Sequence, residues 1–349
     1  MPKFFDKLEY LLYSNKQSKG LALILVTFIV ALASILVINL TYSTYLGSRI
    51  SVTAERSVQA EYLLKSALNY AMVLIKEDLS PEDSIKDVWG KYAQGIPLQR
   101  DDLLPDTLPN IPLWLEIRPE GSKLNIRELA PRSINQLPSI KIRDLLARLF
   151  ANSAVSVGYE FDGELYYDGS GKAYQFTSKE LIGNLIDYVD QDDLPYDQDG
   201  FRGIENQNSN FPNSEITRLA ELAAVPGFTA ARVKRLLPYL TTVDNRRINI
   251  NLAPRVLITS LDDGIDEALA DRIIAYREGE EGPIRNPADL QNLIPQAVFD
   301  NINSLISFDS GRFQVISKVE YSTSVFFLRA DLADNGRKQL PGIKSLELY

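Results

Sequence analysis

The 349-residue chain contains no histidine and no cysteine. Cysteine–histidine nucleophiles, histidine-dependent serine triads and His/Cys zinc sites are therefore excluded. The missing cysteine leaves the compartment open, because a chain this long can build a core without disulfides. Positive charge is also scarce, with 37 Lys and Arg against 46 Asp and Glu and a net charge of -9. That balance disfavours general binding to nucleic acid or anionic lipid surfaces, so no nucleic-acid partner is expected. Charge of either sign disappears altogether from Leu21 to Ser48, and Leu21–Ile38 has only Thr27 and Ser34 as polar residues. A helix of 18 residues is about 27 Å long, close to the thickness of a bilayer core. The leader before it carries four Lys against Asp6 and Glu9. This lysine excess predicts a cytoplasmic N-terminus and places the rest of the chain on the other side of the membrane.

A secretory signal peptide has its apolar core before the cleavage site. Here the small residue, Gly20, comes before the apolar core, so a cut at Gly20–Leu21 would leave that core on the protein. The junction resembles that of type IV prepilin-like proteins; an ordinary N-terminal anchor is the alternative. The helix is expected to continue beyond the membrane. Ser48 to Leu79 has no Pro or Gly, and Ala60, Leu64, Ala67, Ala71 and Ile75 recur at helical spacing. Ser80-Pro81 ends the pattern, because the residue before a proline disfavours the helical region. Small residues let helices approach closely, so Ala60, Leu64, Ala67 and Ala71 are expected to form an assembly interface with other subunits. A membrane helix followed by a separate surface helix is the other reading.

After a proline-rich stretch, alternation resumes at Leu113–Ile117, and Pro119–Ser122 signals a turn after which Lys123–Ile126 is expected to pair back. Helical patterns dominate from about Ser139 to Leu305, and strand patterns return at Arg312–Lys318 and Ser324–Leu332. Strands at both ends of a helical block suggest one sheet with a helical domain inserted into it; two consecutive domains are the alternative. The block contains a repeat: Ala224–Phe228 leads into Ala231, Arg235 and Tyr239, and 37 residues on Asp263–Ile265 leads into Ala268, Arg272 and Tyr276. The pattern is similar to helix-hairpin-helix units. A phosphate-binding hairpin needs free backbone N–H groups and nearby cations. The second turn instead has one glycine and four acids, so the repeat is read as structural.

Asp187 to Glu205 holds seven acids against Arg202 alone. Oxygen ligands without His or Cys favour calcium over transition metals. The run is not an EF-hand: with Gly200 sixth, Pro195 and Asn206 fall where carboxylates are required. The expected calcium ligands are Asp190, Asp193, Asp197, Asp199 and Glu205, with Gly200 and Gly203 letting the backbone turn; a solvated acidic loop is the alternative.

Several elements in order carry a family resemblance. They are the Gly20 junction, the Asn125 strand, Asp187-Tyr188-Val189-Asp190 followed by Asp192-Asp193, Leu222–Phe228, Ile248-Asn249-Ile250-Asn251-Leu252-Ala253-Pro254, and the C-terminal strands. The chain resembles the K-type minor pseudopilins of type II secretion systems. The resemblance implies an α+β fold: a long pilin-like helix, a small antiparallel sheet, and a large inserted helical domain with helix-hairpin-helix-like repeats. It divides the chain into a leader (1–20), the helix (21–79), a linker with the first strands (80–138), the insertion (139–308) and completing strands (309–349). It implies a subunit at the pseudopilus tip that helps initiate and cap assembly for protein export, and no enzyme. Its partners would be other minor pseudopilins, the major pseudopilin, the inner-membrane assembly platform, a prepilin peptidase and the inner membrane itself, with calcium as cofactor. The resemblance also gives meaning to Leu25, the fifth residue after the cut, where most pilin-like subunits carry a glutamate that neutralises the N-terminal amine of the subunit above. A buried carboxylate without a partner is costly, so Leu25 fits a subunit with nothing above it. The competing reading in the same composition class is a membrane-anchored DNA-uptake receptor. A two-carboxylate hydrolase needs no histidine, but the sequence shows no catalytic spacing for one.

Overall fold

The computed structural model describes residues 3–98, 112–129, 137–205, 211–245, 247–321, 324–336 and 338–349, with side chains from residue 20 onward except Leu21. Pro105 and Pro109 of the proline-rich stretch lie outside the described residues.

One helix, Lys3–Lys76, opens the chain. The prolonged helical pattern is thus a single element, not two. The first compact unit, Met1–Tyr62, contains most of it. From Ala22 it is long and apolar enough to cross a membrane, and its apolar side chains, Leu25 among them, are exposed. The hydroxyls within the apolar run are internally satisfied: Thr27 donates to the Ile24 carbonyl and Ser34 to the Val30 carbonyl at 2.9 and 2.8 Å. No hydroxyl proton there is left facing hydrocarbon, which is what a spanning helix requires.

The second unit, Leu63–Tyr349, is built on a five-stranded antiparallel sheet. Its order is Ile96–Pro97, Leu113–Pro119, Arg312–Tyr321, Ser324–Ala333 and Gly342–Leu348. Period-two burial marks the inner face: Leu113, Leu115 and Ile117, then Phe313, Val315, Ser317 and Val319, then Leu328, Ala330 and Leu332. The helix residues Leu64, Ala67, Leu68, Ala71 and Ile75 are buried in the same unit. Ser317 donates its hydroxyl to the Leu64 carbonyl at 3.3 Å, so strand and helix backbone touch there. The end of this layer is closed by Trp89, edge-on to Phe313 at 5.1 Å, with its indole N–H donating to Asp78 at 3.2 Å.

This packing corrects the expected assembly interface. Leu64, Ala67 and Ala71, the part of the expected stripe that lies in the second unit, are 1%, 0% and 0% exposed there. The small residues of the stripe serve close approach inside this fold, and they present no surface to a second subunit.

Leu113–Pro119 pairs directly with Arg312–Tyr321, and everything between them is an insertion. The insertion begins at once: Leu124–Asn125 does not pair back on Leu113–Ile117, as the turn signal suggested, but runs parallel to Leu240–Thr241 inside the insertion. Buried Glu120 reinforces that switch. Its carboxylate accepts from Thr241 at 2.6 Å and from Lys123 at 2.9 Å. A second parallel bridge joins Ile248–Asn249 to Ile306–Ser307. The insertion has one continuous apolar core, from Leu124 to Ile306, shared by short capped helices. Ser139 caps Ile140–Ala151, Thr177 and Glu180 form a capping box on Ser178–Val189, and Asp266 caps Glu267–Glu278. The stretch Val155–Phe176 holds one helical turn, Tyr159–Asp162, and a minimal hairpin, Tyr166–Tyr167 with Ala173–Tyr174.

The Asn-x-Asn motif proves architectural. Asn249 donates to the Asp83 carbonyl and the Ser310 hydroxyl at 3.0 and 3.2 Å, and accepts from the Asn251 N–H at 2.9 Å. Asn251 exchanges two bonds with the Ile284 backbone at 2.8 and 2.9 Å. Asn249 ties the loop after the long helix to the insertion, and Asn251 ties two segments within the insertion.

Candidate functional site

The acidic stretch starts at the C-terminal end of the helix Ser178–Val189. Asp187, the last inward-facing residue of that helix, is fully buried and accepts the N–H groups of Tyr196 and Glu205 at 2.7 and 2.8 Å. Those bonds fold the loop back on the helix. Gly203 is required by this contact, since a Cβ there would lie 1.9 Å from an Asp187 carboxylate oxygen.

The fold-back brings Asp190, Asp192 and Glu205 together, with one carboxylate oxygen from each within 4.8 Å of the others. Asp190 and Glu205 are only 9% and 3% exposed, while Asp192 faces solvent. Asp190 Oδ1 and Glu205 Oε2 are buried without a hydrogen-bond partner. Burial, then the neighbouring Asp192, Glu205 and Asp187 charges, push the Asp190 carboxyl up to about 8. Burial and the charges of Asp187, Asp193 and Asp192 push Glu205 up to about 7. Buried acids gathered without a cation of their own are costly when ionised. A hard divalent cation would neutralise them with oxygen ligands only, so the donor set fits calcium.

The expected ligands divide here. Asp190 and Glu205 converge, and Asp192, which the sequence reading had left out, joins them. Asp193 instead meets the Asn213 amide at 3.3 Å. Asp197 and Asp199 are drawn away into a hairpin, Asp197–Gln198 with Phe201–Arg202. Its turn residues Asp199 and Gly200 have φ of 53° and 81°, the positive values that a two-residue type I′ turn requires. Asp197 pairs with Arg202 at 3.3 Å, and Asp199 with the buried Arg143 at 2.9 Å. Their charges are already balanced by guanidinium groups. The Asp-Gly pair was the available signal for this hairpin. Gly200 serves the turn, not inward-facing carbonyls.

A second acidic group, Asp78, Asp83 and Asp87, also has oxygens within 4.8 Å of one another. Burial pushes Asp83 and Asp87 up to about 7 each. Each acid here accepts protein donors: Asp78 from Trp89, Asp87 from the Ser84 N–H, and Asp83 from the Ser310 N–H. This group closes the junction between helix, sheet and insertion.

The repeat turns are engaged in packing and internal hydrogen bonds. In the first, Gly227 (φ 94°) would drive a Cβ to 2.4 Å from Leu181, and its carbonyl accepts from the buried Arg232 at 2.7 Å. In the second, the N–H groups of Gly264 and Ile265 are both taken by Asp262. Arg232 is committed to Asp162 through two bonds of 2.8 Å.

Two family models, both described as "Type II secretion system (T2SS), protein K", match residues 122–245 and 248–309. Together they cover more than half of the chain. The chain belongs to the protein K family of the type II secretion system. It is similar to "Putative type II secretion system protein K" of Escherichia coli (strain K12), with 23% identity over 241 residues. That match covers 68% of this chain and 66% of the relative. Its fold is that of a chain in the crystal structure of the GspK-GspI-GspJ complex from enterotoxigenic Escherichia coli, with a TM-score of 0.62 and 14% identity, covering 86% of this chain and 99% of the other. Family membership agrees with the α+β architecture, in which the insertion lies between two adjacent strands of the sheet.

Proposed function

We propose that this protein is a minor pseudopilin placed at the tip of the type II secretion pseudopilus, where it helps initiate assembly and caps the growing end. The observation that carries this reading is the insertion itself. A domain with its own core, set between adjacent strands of the sheet, adds bulk beyond what a sheet layered on one helix needs. Such bulk suits an end position better than repeated packing along a shaft. Leu25 in place of a carboxylate supports the same position. The chain would be cut after Gly20 by a prepilin peptidase and anchored by its N-terminal apolar helix in the inner membrane. Its second unit would then lie in the periplasm, in contact with other minor pseudopilins, the major pseudopilin and the assembly platform.

The relative of known structure is recorded in complex with GspI and GspJ. For this chain, the proposed partner surface is the last strand. Ile343, Leu346 and Leu348 lie on the same sheet face as the buried Leu328, Ala330 and Leu332, yet are 48%, 42% and 43% exposed. Co-purification from membranes with the other minor pseudopilins tests the reading. Leu346→Lys should release them while the protein stays folded, and retention of both partners by this variant would remove the strand from the interface. Failure of the unaltered chain to co-purify with any pseudopilin would sink the tip assignment.

We further propose that Asp190, Asp192 and Glu205 hold calcium. The two buried, unpartnered carboxylate oxygens support this over a solvated loop. Melting in millimolar calcium, magnesium and chelator is the test. Equal midpoints in all three conditions would leave the loop without a cation.

A further inference from the structure

Asn213 lies beside the three carboxylates but comes from a different segment of chain. Its amide nitrogen donates to the Asp192 carbonyl at 3.0 Å and to Asp193 at 3.3 Å. Its amide oxygen is buried with no partner. The backbone at Asn213 has φ of 45°, a left-handed value that asparagine tolerates better than most residues. The donor end of the side chain is thus turned toward the Asp192–Asp193 stretch of the acidic loop, and its acceptor end is unused.

Asn213 also begins one wall of a cavity of about 230 Å³, which includes Leu129, Leu185, Val189, Glu215 and Ile216. The wall segment is fixed on both sides of Asn213. Phe211 packs on Tyr188 with ring centroids 6.0 Å apart, and Glu215 pairs with Arg127 while Ile216 is buried. Between these anchors, Asn213 makes the link to the acidic loop.

A cation among the carboxylates would repel the amide N–H groups now facing them. Rotation of the amide by half a turn exchanges donor for acceptor without moving the backbone, and gives the orphaned oxygen a ligand role. Building on the calcium reading above, we propose that Asn213 is a cation-sensing clasp: calcium turns its amide oxygen inward, and the ion then staples the segment Phe211–Ile216, and with it the cavity wall, to the acidic loop. Without the ion the segment is tied to the loop only by the Asn213 amide bonds to Asp192 and Asp193; with it the tie runs through the cation and the carboxylates.

The experiment uses the detergent-solubilised full chain, with calcium titrated by calorimetry and amide hydrogen exchange followed at residues 211–216. In the unaltered protein, calcium should slow exchange across this segment. Asn213→Gly suits the positive φ and removes the ligand. It should weaken calcium binding by at least about tenfold and abolish the calcium dependence of exchange. Asn213→Asp retains an oxygen and should preserve both. Normal affinity and calcium-slowed exchange in Asn213→Gly would overturn the clasp while leaving the calcium site intact. No calcium binding by the unaltered chain would overturn the site and the clasp together.

Discussion

Replacing Asp190 with Asn should have opposite effects on stability with and without calcium. In chelator, the Asp190 carboxyl is raised from 3.8 to about 8 and Glu205 from 4.5 to about 7, both chiefly by burial. A folded state that holds protons more tightly than the unfolded state loses stability as pH rises. The loss therefore begins near the unfolded values around 4 and is complete only above about 8. A shift of about four units, at about 1.4 kcal/mol per unit, bounds the cost of ionising Asp190 at about 6 kcal/mol. Exposure of Asp192 lets water relax part of that charge, so a gain of about 1–3 kcal/mol is expected for Asp190→Asn at pH 8 in chelator. That is several degrees in Tm for a unit of this size. With calcium in large excess the sign reverses. The unaltered protein gains about 4.1 kcal/mol at a thousand times its Kd, more than the variant's advantage, and the variant gains little. Thermal melts of the detergent-solubilised chain at pH 5, 7 and 8, in chelator and in calcium, check both halves. An Asp190→Asn protein less stable than the unaltered one in chelator at pH 8 would refute the argument that the uncompensated charge is the dominant cost.

Other outcomes follow from the same geometry. Mass spectrometry of the membrane-extracted protein should find an N-terminus at Leu21; an intact Met1 terminus would remove the prepilin reading. Ala67→Glu should destabilise the fold by about 3–5 kcal/mol, because it places an unpaired charge where the helix meets the sheet, and protease resistance equal to the unaltered chain would contradict that packing. Asn251→Leu leaves both backbone groups of Ile284 without partners and should cost about 2–4 kcal/mol, seen as a lower Tm with calcium binding preserved. Gly203→Ala should displace Asp187 and abolish the calcium-dependent rise in Tm, which an unchanged rise would disprove.

The sequence displays those parts of the fold that have long periods. Twenty-eight uncharged residues and the stripe behind them make one helix, and the alternation at Leu113–Ile117, Arg312–Lys318 and Ser324–Leu332 makes three neighbouring strands. Their separation by a helical block correctly implies an insertion. The two-residue bridges at Leu124–Asn125 and Ile248–Asn249 are too short to leave any pattern, so their partners appear only when the chain is folded. The alanine stripe marks a close-packed face, but helical spacing carries no information on whether the facing surface belongs to the same chain. The acidic stretch announces a site without its membership. Asp192 and Asp193 are adjacent and chemically equal, and only the hydrogen bonds of Asp187 decide which one turns toward Asp190 and Glu205. Asp197 and Asp199 were separable in advance, because Asp-Gly between short extended segments is a hairpin signal.

The position of the insertion also governs the order in which the protein can be completed. Val315 pairs with Ile117 across about 200 residues of intervening chain. Closing an unstructured loop of that length costs about 4–5 kcal/mol in chain entropy beyond a constant term, and it makes direct pairing slow. If the insertion folds first, its two ends emerge one strand spacing apart, and the closure becomes local. The central sheet pair thus waits for the inner domain. The edge strand Gly342–Leu348 comes last, because it pairs only with Ser324–Ala333 and lies at the C-terminal end. A chain interrupted anywhere before about residue 312 keeps its long helix but has no finished sheet to cover it, leaving the alanine stripe bare. Premature termination would therefore expose an apolar helix face that the finished subunit keeps covered.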